Sequence, residues 1–172
     1  MAIGIANLAV RGFQVLFAIV VLGVTGTLIS GQDTRLEKVP ATYGFITFAG
    51  AVAMIGAAVG IAANWVEMLN GAITWGVDGV IALINLAAGV LIAYKLRGID
   101  CGKTETEEEV KKKFYNNLLN AGEKDDYFGV SSKGEIEKRC RQAQADTAFL
   151  FLTVVILVAA ILVTWFRMRN HK

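Results

Sequence analysis

Few side chains in this sequence could do chemistry. The two cysteines are Cys101 and Cys140, and the one histidine is His171. Asp78 and Asn85 stand inside a long apolar stretch. Nucleophilic catalysis needs a nucleophile beside a base, and a structural zinc site needs about four Cys or His ligands. One histidine near the end of the chain and two cysteines meet neither requirement. The residues present leave too few ligands for a haem or zinc site and argue against an enzyme.

The cysteines suit a different role. They bracket the chain's one highly charged segment, Cys101 near its start and Cys140 near its end. Such spacing fits a disulfide that closes a loop in an oxidising space; two reduced thiols are the alternative. In the chain-entropy model a bridge across residues 102–139 stabilises the closed loop by about 4 kcal/mol.

Asp78, Ala82, Asn85 and Gly89 recur at helical spacing and share one face. A carboxyl at a bilayer centre costs about 2.5–3.5 kcal/mol on insertion scales, so this face should turn toward other helices. Asp78 and Asn85 then read either as a proton or cation site or as interhelical hydrogen-bonding groups. With no second intramembrane charge evident, the structural role is favoured. Gly56 and Gly60 form a G-x-x-x-G pair that lets helix backbones approach closely, within the bundle or between subunits. Gly89 joins them as a helix-packing position.

The elements that carry these residues are apolar spans. The chain has 172 residues, 55% of them hydrophobic, a net charge of +2 and a mean hydropathy of +0.51. Charge is segregated: eleven of 17 Lys/Arg and ten of 15 Asp/Glu lie between Lys95 and Arg141. The predicted spans are 12–30, 42–63, 73–95 and 147–166, each near the ~20 residues that cross a bilayer as a helix. Arg11 reads as a flank of the first span, which is taken as a retained signal anchor. No basic stripe interleaved with aromatics supports nucleic-acid binding.

The 96–146 loop has a pattern of its own. Thr104 and Glu107 form a capping box, and Glu107, Glu108 and Glu109 precede Lys111, Lys112 and Lys113 by four residues. Val110, Phe114 and Leu118 continue a stripe that predicts a short amphipathic helix over about 105–121, packed on the membrane or the bundle end. Trp65, Trp75 and Trp165 fall near span ends, where an indole suits the interface.

Orientation is contested. The basic tail 167–172 favours cytoplasmic termini, whereas the Lys/Arg count of the long loop favours the opposite. The paired cysteines decide for an extracellular loop. Arg167, Arg169 and Lys172 could attract anionic lipid at about 1 kcal/mol per charge. Leu91, Tyr94 and Arg97 match a loose sterol-contact pattern. No cofactor is expected beyond a bound sterol, sphingolipid or phospholipid.

Cys140-Arg141-Gln142-Ala143-Gln144-Ala145, followed by Ala148-Phe149-Leu150, resembles the entry to the last span in the fungal non-classical export protein family, tetraspan proteins with a MARVEL-type domain. Asn64, Glu67, Asp78, Gly89, Arg97 and Cys101 also look like that family's pattern. The charged insert after Gly102 is longer, and the tail shorter, than the pattern suggests. The resemblance implies an all-α, four-span MARVEL-like bundle in the plasma membrane, with cytoplasmic termini and an outward third loop. It further implies a scaffold of eisosome-type microdomains, linked to sphingolipid sensing and unconventional export. Membrane lipids, further copies of the chain and other microdomain proteins are the expected partners. The competing expectation is an oligomeric channel or transporter using Asp78 and Asn85.

Overall fold

In a computed structural model of the chain, residues 2–30, 40–63, 72–102, 108, 116, 118–119 and 130–170 are described. Among them four long helices form: α1 (Ala2–Ser30), α2 (Ala41–Ala62), α3 (Ala72–Lys95) and α4 (Val130–Asn170). Each contains a stretch long and apolar enough to cross a membrane. In hydrocarbon a helix is the only open-ended element that satisfies its own backbone, which is why apolar runs of this length become helices.

The helices pack in a ring, α1 against α2, α2 against α3, α3 against α4, and α4 back against α1. Every inward seam has the three-then-four spacing of bundle packing. On α1 the buried residues are Asn7, Arg11, Gln14, Ala18, Val21, Thr25 and Leu28. On α2 the seam includes Tyr43, Ile46, Gly50, Ala53, Ala57 and Gly60. Thr74, Asp78, Ile81, Asn85, Ala88 and Ile92 form it on α3, and Ala143, Asp146, Leu150, Thr153, Leu157 and Ala160 on α4. The outward faces carry large apolar side chains such as Phe13, Leu16, Ile55, Leu83, Val155 and Leu162. This inversion of the soluble pattern, polar groups in and apolar groups out, suits a bundle solvated by lipid.

Local signals set the helix ends. Pro40, with φ fixed near −55°, precedes α2 as its N-cap. Gly98 takes φ of +78° just after α3, a left-handed conformation that suits glycine because it has no Cβ.

Two helices extend beyond the expected spans. α1 begins at Ala2, so Arg11 lies within the helix rather than before it. α4 runs 41 residues unbroken, about 60 Å at 1.5 Å per residue. Its first turns therefore stand beyond the other helices on the loop side. The amphipathic helix expected over 105–121 falls largely outside the described residues. Within it Glu108 is helical, and Leu118 and Leu119 form a turn.

Candidate functional site: two buried polar layers and a cross-linked cap

Asp78 faces into the bundle, 1% exposed, as its helical face predicts. Its partner was not anticipated. Arg11, fully buried on α1, donates from Nη1 to Asp78 Oδ1 at 2.7 Å and from Nη2 to Oδ2 at 2.5 Å. The two parallel bonds make a bidentate ion pair, the strongest geometry available to a guanidinium and a carboxylate. The expectation that the spans hold no second charge is thereby corrected. The apolar run that starts at Ile3 extends α1 by more than two turns, which draws Arg11 into the interior.

The pair is built into a network. Arg11 Nη1 also donates to Gln14 Oε1 at 2.8 Å, and Gln14 Nε2 donates to the Ala53 carbonyl at 2.9 Å. This layer therefore joins α1, α2 and α3. Glycine makes the space for it: a Cβ on Gly60 would overlap the Arg11 guanidinium, and one on Gly56 would overlap Ile81 Cδ1. The G-x-x-x-G pair is thus occupied inside the bundle. Gly89 lets α4 approach α3, since its Cβ would lie 3.3 Å from the Phe151 ring.

Asn85 is buried on the same face as Asp78, but its Nδ2 donates to the Ile81 carbonyl of its own helix at 2.9 Å. It does not bridge helices through that bond. An ion-conducting role for Asp78 would require the pair with Arg11 to open.

A second polar layer lies toward the loop end, between α1 and α4. Thr25 Oγ1 donates to Asp146 Oδ2 at 2.8 Å, and Gln142 Nε2 donates to Thr27 Oγ1 at 3.3 Å. Arg139, 3% exposed, directs Nη1 at the Leu28 carbonyl, 3.4 Å away. The last carbonyls of a helix lack intrahelical donors and carry partial negative charge, so a buried cation there complements the end of α1.

Above this layer the bundle is capped. Cys101, just beyond α3, is bonded to Cys140 of α4, with Cα atoms 5.5 Å apart, inside the range a disulfide spans. Leu118 and Leu119 are buried in the same apolar cluster as both cysteines, Leu96 and Ala143. Their turn is held by side chains on two sides. Tyr43 Oη donates to the Leu118 carbonyl, and Asn116 Nδ2 donates to the Lys95 carbonyl at 2.7 Å. Leu118, read as part of an apolar stripe, therefore packs on the bundle end.

The remaining sequence-derived positions are spread over the surface. Tyr94 and Arg97 are exposed and Leu91 half-buried on α3. Arg169 lies over the Trp165 ring, 5.6 Å from its centroid. Arg167 is in α4, while Lys172 and Trp65 lie outside the described residues. Trp75 and Trp165 are about half exposed near the start of α3 and the end of α4, which are at one end of the bundle. In the 140–145 run, Cys140 and Ala143 face the core, whereas Arg141, Gln142, Gln144 and Ala145 face outward or lie at the edge of α1.

In the sequence Arg11 reads as a flank, and Gln14, Arg139 and Asp146 are not singled out, yet all four are buried. Their spacing could have revealed them, since each falls on the buried seam of its helix.

Four lipid-compatible helices with paired polar groups inside define a multi-pass membrane bundle. Residues 4–163 match the model of the MARVEL family, described as a membrane-associating domain. The match covers nearly the whole chain, and the chain belongs to this family. No curated protein and no solved structure matches it.

Proposed function

We propose that this chain is a non-enzymatic scaffold that organises lipid and protein in membrane microdomains. The observation that carries this reading is the closed interior. The intramembrane Arg11 and Asp78 are spent on each other, and the inward glycines are filled by neighbouring side chains. The face left for interaction is the lateral one, covered by large apolar side chains. The membrane-associating family supports the same reading.

Because Gly56 and Gly60 are taken up inside, association with other copies or other membrane proteins would use the outward apolar face. The disulfide suits an oxidising compartment, which supports a reading with the cap outside and both termini in the cytoplasm. The resemblance around Cys140–Ala145 adds a plasma-membrane, eisosome-type compartment, responsiveness to sphingolipid or sterol, and a link to unconventional export.

Imaging a tagged full-length copy at native level in its own cell tests this reading. Clusters at the plasma membrane that reorganise on sphingolipid depletion are expected. Uniform dispersal in that membrane would contradict it.

A further inference from the structure

Arg141, Gln142 and Ala145 of the Cys140–Ala145 run border a groove. Between α1 and the loop-side half of α4 lies a groove of about 550 Å³, lined by Val24 and by Glu137, Lys138, Arg141, Gln142 and Ala145, with Gly134 at its rim. Its floor is apolar and its upper wall charged. Val24 is less than two turns from the end of α1, so the change from apolar to charged falls at the depth where a bilayer passes from acyl chain to headgroup.

The charges favour one kind of occupant. Lys138 and Arg141 outnumber Glu137, giving the lining one net positive charge. Glu137 already accepts a 2.6 Å bond from Arg141. An incoming ammonium group would therefore meet cations and an engaged carboxylate, whereas a phosphodiester would meet Lys138 and the remaining guanidinium donors. Toward the membrane centre the same α1–α4 junction continues as the Phe17–Phe149 ring contact, centroids 5.6 Å apart. An acyl chain would lie along the outer surface of that apolar seam.

We infer that this groove binds one anionic phospholipid in the leaflet at the disulfide end. Lys138 and Arg141 hold its phosphodiester, and Val24 and Ala145 carry the start of its acyl chain. The inference needs only that the bundle sits in a bilayer, not that it clusters, so it stands apart from the scaffold reading.

Native mass spectrometry of the oxidised full-length protein tests it, with phosphatidylglycerol and phosphatidylcholine of identical acyl chains offered in equal amounts. The wild type should retain phosphatidylglycerol several-fold more than phosphatidylcholine. The Lys138→Gln/Arg141→Gln double variant should lose most of that preference. Ala145→Phe, which fills the floor and keeps both charges, should lower phosphatidylglycerol retention, as diffuse attraction would not. Intact disulfide mass and unchanged helical circular dichroism establish that the variants are folded. Equal retention of the two lipids by the wild type would overturn the inference. So would a double variant that keeps the preference, or an Ala145→Phe variant that matches wild type. An Arg169→Gln arm reports how much anionic lipid the basic tail holds. A preference abolished by that change alone would place the lipid at the opposite end and also overturn the inference.

Discussion

Gly60 on α2 lies directly against the guanidinium of Arg11 on α1, with no room between them for a Cβ. The two residues are a matched pair: any side chain at position 60 would stand where the arginine crosses. Gly60→Ala should therefore displace Arg11 from Asp78 and destabilise the bundle by about 1–3 kcal/mol, the usual cost of overpacking. Gly12→Ala, where a Cβ meets nothing within 4 Å, should be close to neutral. Thermal unfolding of both variants in the same detergent checks the contrast.

The bridge between Cys101 and Cys140 spans a sequence separation of 39. The chain-entropy model assigns such a loop about 4 kcal/mol. Cys140→Ser should lower the unfolding midpoint in detergent, and a reductant should lower the wild-type midpoint to about the same value. A midpoint indifferent to reductant would mean that the bond does not brace the cap.

Tyr43 reaches from α2 to the Leu118 carbonyl beneath the cap. Tyr43→Phe removes that donor and leaves a buried carbonyl short of a partner, a loss of about 1–3 kcal/mol. The cap should then open more often. Dithiothreitol should reduce the Cys101–Cys140 bond several-fold faster in the variant, measured by alkylation and mass. An unchanged rate would show that Tyr43 does not hold the cap closed.

Orientation has its own readout. A membrane-impermeant amine reagent applied to intact cells should label Lys95 and Lys138 at the disulfide end but not Lys172. Labelling of the loop lysines only after the cells are opened would invert the topology.

The number of spans and their approximate centres were legible because about twenty apolar residues in a row have one stable outcome in lipid. The inward face of α3 was legible from Asp78 and Asn85 at helical spacing. The bonding of these residues was not. Asp78 pairs with a residue 67 positions away, a contact that no local pattern encodes. In the sequence Arg11 reads as a flanking charge, because a cation near a span end usually anchors the helix at the interface. Its spacing with Gln14, Ala18, Val21 and Thr25 carried the contrary signal, since all five lie on the buried seam. Asn85 shows the reverse limit: its face was correctly placed inward, yet its amide bonds to its own helix. The Leu118–Leu119 turn is not legible locally because distant partners hold it, Tyr43 at the Leu118 carbonyl and the Lys95 carbonyl at Asn116.

The partnership of Arg11 and Asp78 inside the bundle is tested most directly by a double-mutant cycle on reversible unfolding in mixed micelles, with Arg11→Met, Asp78→Leu and the two combined. Either single change strands a buried charge and should cost about 3–5 kcal/mol. The combined variant should be far less destabilised than the sum of the two, with a coupling of more than about 1 kcal/mol. Additive losses, or single variants as stable as wild type, would mean that the two charges do not hold each other in the membrane.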